Sequence, residues 1–192
     1  MRLVLGVIFS LLLIENSLGQ VNPLSILGRV VTTSMDARSK AEVTADTEIA
    51  AGASKRLLDD KKSEWAGVTL LVFAQQVVLA GAVKAEAVKK RVEEVVRRDA
   101  RIRSLKNELL VGDMASLARD SALEAEINAT LTSAKGVSSV NMRWCATGGR
   151  VVLMGVAQSQ AEANLASSKI RALKGAKGLK SHLRVVQKKA AR

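Results

Sequence analysis

The chain has 192 residues, carries a formal net charge of +12 with a pI near 10.3, and is 48% apolar but only 2% aromatic. One cysteine, Cys145, excludes an internal disulfide and any multi-cysteine metal site, and one histidine, His182, argues against a catalytic triad or a zinc centre. The excess of positive charge favours an anionic partner, whether lipid headgroups, an envelope polymer or nucleic acid.

Residues 1–19 read as a secretory signal peptide. Arg2 is followed by the apolar run Leu3–Ile14, which Glu15 and Asn16 end, and Ser17 and Gly19 place small residues before Gln20. A run of this length is short for a membrane span. The alternative is an uncleaved N-terminal anchor. Cleavage would remove Arg2 and Glu15 together, leaving the charge at +12. Residues 20–44 hold Pro23, the only proline, and read as a linker with a short helical piece near Met35–Val43.

A first unit opens at Asp46, read as a helix cap, with Ile49, Ala53 and Leu57 on one helical face. Ala66–Phe73 and Val77–Val83 are apolar runs separated by three residues, which predicts a hairpin. A second helix follows from about Lys84 to Arg98, with Val88, Val92 and Val95 inward. Leu105, Asn107, Leu109 and Val111 then alternate as a third strand.

The same order then recurs. Val77-Val78-Leu79-Ala80-Gly81 returns 74 positions later as Val151-Val152-Leu153-Met154-Gly155. At that offset Asp46 falls on Asp120, Leu57 on Leu131, Leu105 on Leu179 and Val111 on Val185, with no insertion. Asp120 is again read as a cap, and Leu123, Ile127 and Leu131 as a buried stripe. Trp144 alternates inward on a strand, Gly148-Gly149 makes the hairpin turn, and Leu165, Ala166 and Ile170 line the second helix. Two tandem copies of one unit account for the pattern. The chain thus divides into a signal peptide (1–19), a linker (20–44), a first unit (45–112), a second unit (116–187) and a basic tail (188–192). The fold class is α+β: two tandem αββαβ units, each a three-stranded mixed sheet with two helices on one face. Gly81 and Gly155 mark the same strand position in each, read as the close approach of a helix backbone.

These residues resemble the BON family, a bacterial envelope domain named for osmotically inducible and nodulation proteins. The resemblance rests on Val77-x-Leu79-x-Gly81 and Val151-x-Leu153-x-Gly155, each followed by a helix and a closing strand, and covers about residues 45–186. The plan is similar to that of dual-BON periplasmic or outer-membrane proteins. It implies an exported, periplasmic protein at the envelope membrane, phospholipid binding, support of envelope integrity and stress tolerance, and no catalytic residues or cofactor. Many dual-BON members are lipoproteins, but no cysteine follows the apolar run here.

An anionic surface would meet basic residues. They gather on the second helix and closing strand of each unit, and Lys169–Arg192 contains no acidic residue. Lys169, Arg171, Lys174, Lys177, Lys180 and Arg184 are the candidate contacts with anionic phospholipid. A solvated basic face is the plain alternative. Leu71, Phe73, Val78 and Ala80, with Val152, Met154 and Val156, leave the helix-free face of each hairpin apolar too. Those backs are expected to pack on the other unit or on a partner chain, so an oligomer or an envelope protein partner is the second reading. Gly175-Ala176-Lys177-Gly178 matches a GxxG loop, but it joins a helix to a strand and reads as a helix end and turn. Nucleic acid is set aside, since Trp65 and Trp144 make no stacking platform. Cys145 is read as a half-buried small residue and His182 as a surface group.

Overall fold

The computed structural model describes residues 36–61, 65–112 and 117–186. The signal peptide, the linker up to residue 35 and the basic tail lie outside the described residues. In chain order the elements are α1 (Lys40–Asp59), β1 (Val68–Phe73), β2 (Gln76–Val83), α2 (Glu86–Arg97), β3 (Ser104–Asn107) and β4 (Leu110–Val111). The second unit has α3 (Leu117–Ser133), β5 (Met142–Thr147), β6 (Arg150–Ala157), α4 (Gln160–Arg171) and β7 (Gly178–Val185).

Each unit is a mixed sheet with the hairpin antiparallel and the closing strand parallel to its middle strand. The β2–α2–β3 and β6–α4–β7 connections need a helix because parallel neighbours cannot be joined by a tight turn. Ile49, Ala53 and Leu57 of α1 meet Leu70, Val77 and Leu79 of the sheet and Val92, Val95 and Val96 of α2. Leu123, Ile127 and Leu131 of α3 repeat this against Met142, Trp144, Leu153 and Ile170. Each fully buried aliphatic or aromatic side chain stabilises its core by about 1.5–3 kcal/mol. Trp144 is core, as the alternation predicts.

The closing strand of the first unit departs from expectation. β3 and β4 hold one register against β2, Gln76 opposite Ser104 and Ala82 opposite Leu110, but the ladder breaks at Glu108-Leu109. There the Asn107 side-chain oxygen accepts from the Leu109 N–H (3.2 Å) and its amide donates to the Lys89 carbonyl (3.2 Å). The matching strand β7 runs unbroken from Gly178 to Val185.

Asp46 and Asp120 are not caps. Helix α1 starts six residues before Asp46, where Ser39 and Glu42 form a capping box. Both aspartates are buried in their helices and reach the hairpin turn instead. Asp46 accepts from the N–H groups of Ala74 (2.7 Å) and Gln75 (2.6 Å), and Asp120 from those of Gly148 (2.8 Å) and Gly149 (2.9 Å). All four turn residues have positive φ, including the non-glycines Ala74 (52°) and Gln75 (61°). The carboxylate satisfies two donors that the turn turns away from the ladder.

Gly81 and Gly155 both permit a close backbone approach, though at Gly81 the neighbour is a turn and not the helix expected. Their φ values are 105° and 126°. A Cβ on Gly81 would stand 2.0 Å from the Gly67 carbonyl oxygen, and one on Gly155 would stand 2.1 Å from that of Asn141. The close neighbour in the first unit is the turn entering the hairpin at Gly67, and in the second it is Asn141, the last residue of a 3-10 helix, Ser139–Asn141. The Ala82 N–H donates to the Gly67 oxygen at 3.0 Å, so the approach is a backbone bond that only glycine beside it permits.

The two sheet backs pack on each other. Leu71, Phe73, Val78 and Ala80 form one buried cluster with Cys145, Val152, Met154 and Val156. β1 lies against β5 and β6, and β2 against β5, so each unit offers the same patch to the other. That is the isologous arrangement of a two-fold pair, built here within one chain.

Candidate functional site

The basic site is positioned by α4 and its exit. Ser159 caps α4 by accepting from the Glu162 N–H at 3.1 Å. Ala163, Ala166 and Ile170 turn inward, which leaves Lys169 and Arg171 on the solvent side. The only acid on α4, Glu162, is buried and accepts from the Ser138 and Gln158 N–H groups, both at 2.7 Å. After α4 the Ala176 N–H bonds the Leu173 carbonyl (3.0 Å), and the Lys177 N–H bonds the Gly149 carbonyl (2.8 Å). This ties the Lys174–Lys177 turn to the hairpin end of the sheet.

All six candidate residues are exposed. None has an ion-pair partner among the described residues. They do not form one plane. Leu179 and Leu183 pack toward the helices, so Lys180 and Arg184 stand on the opposite face of β7. They stand in register with Val152 and Val156, beside the seam between the units. Lys169 and Arg171 are on the helix layer, with Lys174 and Lys177 at the turn between. The structure therefore gathers four of the six around α4 and its exit and sets the other two along the β7 edge.

In the first unit three arginines of the matching region are ion-paired, while Lys89, Lys90, Arg98, Arg103 and Lys106 have no ion-pair partner among the described residues. Arg91 bonds Asp60 (2.7 Å) and reaches Glu94, Arg97 bonds Glu93, and Arg101 bonds Asp99 (2.8 Å) and Glu48. Arg56 adds a second cation on Asp99 at 2.9 Å. The hydrogen bond from Arg101, joined by that of Arg56, holds the Asp99 carboxyl well below the usual carboxylate range. At the offset of the repeat, Glu48, Asp60, Glu93, Glu94 and Asp99 are replaced by Ala122, Ala134, Ser167, Ser168 and Leu173. The acids that pair Arg56, Arg91, Arg97 and Arg101 have no acidic counterpart in the second unit. The acid-free stretch was readable in the sequence, but which first-unit arginines are paired needed the fold.

Two single residues are placed differently from the sequence reading. His182 is not a free surface group: its Nε2 donates to Glu108 Oε1 at 2.9 Å, across the seam, with both side chains less than one-fifth exposed. Cys145 is buried in the seam, and burial pushes its thiol up to about 11. A second polar network was not foreseen. Arg38 joins Asp36 (2.7 Å) to Asp46 (2.9 Å) and stands 4.4 Å over the Phe73 ring, while the Ala37 N–H donates to the Asn141 side chain at 2.7 Å. The segment before α1 thus fastens the two units together. Its signal, two acids flanking one arginine at Asp36, Arg38 and Asp46, is too common to be read from sequence.

Among the described residues no group of histidine, cysteine and acidic side chains could hold a metal ion, and no helix is long and apolar enough to cross a membrane.

The family model described as BON domain matches residues 119–187, the second unit. Over 132 residues the chain is 31% identical to an Anaplasma centrale protein described as "Uncharacterized protein in gshII 5'region", covering 67% of this chain and 87% of that one. Two solved chains of CdsD, a structural protein of the type III secretion system of Chlamydia trachomatis, are similar at 14% and 15% identity, with TM-scores of 0.33 and 0.31. They cover 73% and 69% of this chain, which spans 64% of the length of each.

Proposed function

This chain is a BON domain protein, of a family associated with membrane and envelope and generally non-catalytic, and from that premise we propose that it is an exported, non-enzymatic envelope protein whose second unit docks on anionic phospholipid. The observation that carries this reading is the exposed charge of Lys169, Arg171, Lys174 and Lys177, none of them ion-paired among the described residues, in a stretch without an exposed acid on α4 or its exit. Exposed cations that have no internal partner keep their full field for an external one. Near an anionic membrane each contributes about 1 kcal/mol. The docking is peripheral, and it supports envelope integrity under stress.

The rival reading, assembly through bare apolar sheet backs, needs a surface that the two units already cover with each other.

Co-sedimentation with phosphatidylglycerol vesicles, with phosphatidylcholine as control, tests the proposal. Binding is expected to require the anionic lipid and to fall as salt is added. Changing Lys169, Arg171, Lys174 and Lys177 to Gln should remove it. Equal binding to both lipids, or undiminished binding by the variant, would contradict the reading.

A further inference from the structure

The open edge of β7 is a second feature, separate from the α4 cluster. The strand runs eight residues, Gly178–Val185, in continuous parallel register with β6. No described strand lies on its other side. In a parallel ladder alternate residues direct both N–H and C=O to one neighbour and the rest direct theirs away. The Val186 N–H bonds Ala157 across the ladder at 2.8 Å, so the parity turns the N–H groups of Ser181 and Leu183 outward. For the Leu183 N–H the partner among the described residues is the Ser181 hydroxyl, at a long 3.5 Å.

The first unit shows what a closed version looks like. There the edge is cut into β3 and β4 at Glu108-Leu109, and the Asn107 side chain occupies the Leu109 N–H. An interrupted edge is a poor template for another strand. Of the two closing strands, β7 is the long continuous one.

Side chains beside that edge select the occupant. One face carries Lys180 and Arg184, both exposed and without an acidic partner among the described residues. The other face carries Leu179, Leu183 and Val185, the last 43% exposed. Two copies of β7 would bring like charges together, which opposes self-pairing. An acidic strand meets no such barrier.

We infer that β7 receives an extended segment of a partner protein as a fourth strand, and that this segment alternates acidic with apolar residues. Backbone bonds to the outward groups supply the pairing, and Lys180 and Arg184 supply the preference for acid. This goes beyond the membrane reading, which rests on the α4 side.

The test uses the full chain and a synthetic eight-residue peptide alternating glutamate with valine, beside a control alternating lysine with valine. Amide hydrogen exchange is read at Ser181 and Leu183. The glutamate peptide is expected to slow exchange at both at least tenfold, and the lysine peptide to leave them unchanged. Ser181→Pro, which removes an outward donor from an edge position, should abolish the protection with the melting temperature retained. Should that variant fail to fold, the glutamate peptide with alternate backbone amides N-methylated must lose its effect. The inference is overturned if neither peptide protects, if both protect equally, or if the N-methylated peptide still protects. It is also overturned if the two amides are already protected in the chain alone, which would mean its own termini cover the edge. Protection by phosphatidylglycerol vesicles in place of the peptide would overturn it in favour of lipid.

Discussion

Glu108 and His182 stand at equivalent positions of the two units, 74 residues apart, and they touch: the imidazole Nε2 lies 2.9 Å from the carboxylate. A residue can meet its own repeat equivalent only near an axis that exchanges the units. The contact therefore marks the approximate two-fold relation of the sheet backs, and the chain is a dimer whose subunits are covalently joined.

The seam is held by apolar packing more than by this bond. Met154 is 2% exposed in the seam cluster, and Met154→Ala is expected to cost about 2–5 kcal/mol. His182→Ala removes one hydrogen bond at a partly exposed site and is expected to cost about 1 kcal/mol. Urea denaturation of the two variants checks the order.

The aspartate clamps give a second expectation. Ala74-Gln75 and Gly148-Gly149 both adopt left-handed backbone, which disfavours a non-glycine residue by about 1–2 kcal/mol. Asp46 is what holds the costly version in place. Asp46→Ala should therefore destabilise more than Asp120→Ala, by at least about 1 kcal/mol, because Arg38 also loses one of its two carboxylate partners. Gln75→Gly should stabilise the chain by about 1 kcal/mol. Thermal melts of the three variants decide it.

Much of this fold was legible because the chain repeats it. The recurrence of Val-Val-Leu-x-Gly at a constant offset gave domain count, strand order and the buried helical stripes, since burial on a period of two or near four leaves a direct trace in composition. Asp46 and Asp120 matched in that alignment, yet they read as caps because an acid near a helix start is the commoner use. Their true partners lie 28 residues on, beyond any local rule. The mutual cover of the sheet backs was legible only as a need: apolar residues on both faces demand a partner, but the pattern does not say which. The six basic residues proposed from sequence as lipid contacts are all exposed, but their split between α4 and β7 depends on strand parity against β6.

Cys145 is expected to be inert in the folded chain. Burial and the nearby Glu124 carboxylate both disfavour the thiolate, which raises its pKa to about 11. At pH 7.5 a thiol-disulfide reagent should label it only after guanidinium is added. Rapid labelling of native protein would show that the seam opens.

Acid sensitivity should centre on Asp99. Its folded pKa is depressed, chiefly by the hydrogen bond from Arg101, against about 3.9 when unfolded. A depressed carboxylate adds stability that is fully present above the unfolded value and is lost as pH falls toward the folded one. Asp99→Asn should thus be less stable than the parent at pH 7, and the gap should close below about pH 4. Chemical denaturation at stepped pH measures the gap.

The central claim is that unpaired charge on the second unit makes the anionic contact. Transplanting the first unit's acids tests it most directly. Ala122→Glu and Ser168→Glu place carboxylates where Glu48 and Glu94 stand in the first unit, at exposed helix positions, Ser168 being three residues before Arg171 on α4. Vesicle co-sedimentation of the double variant on phosphatidylglycerol is the measurement. The expected result is a loss of affinity of at least about tenfold with an unchanged melting temperature, since each offset cation is worth about 1 kcal/mol at the membrane. Affinity equal to that of the parent would contradict the account.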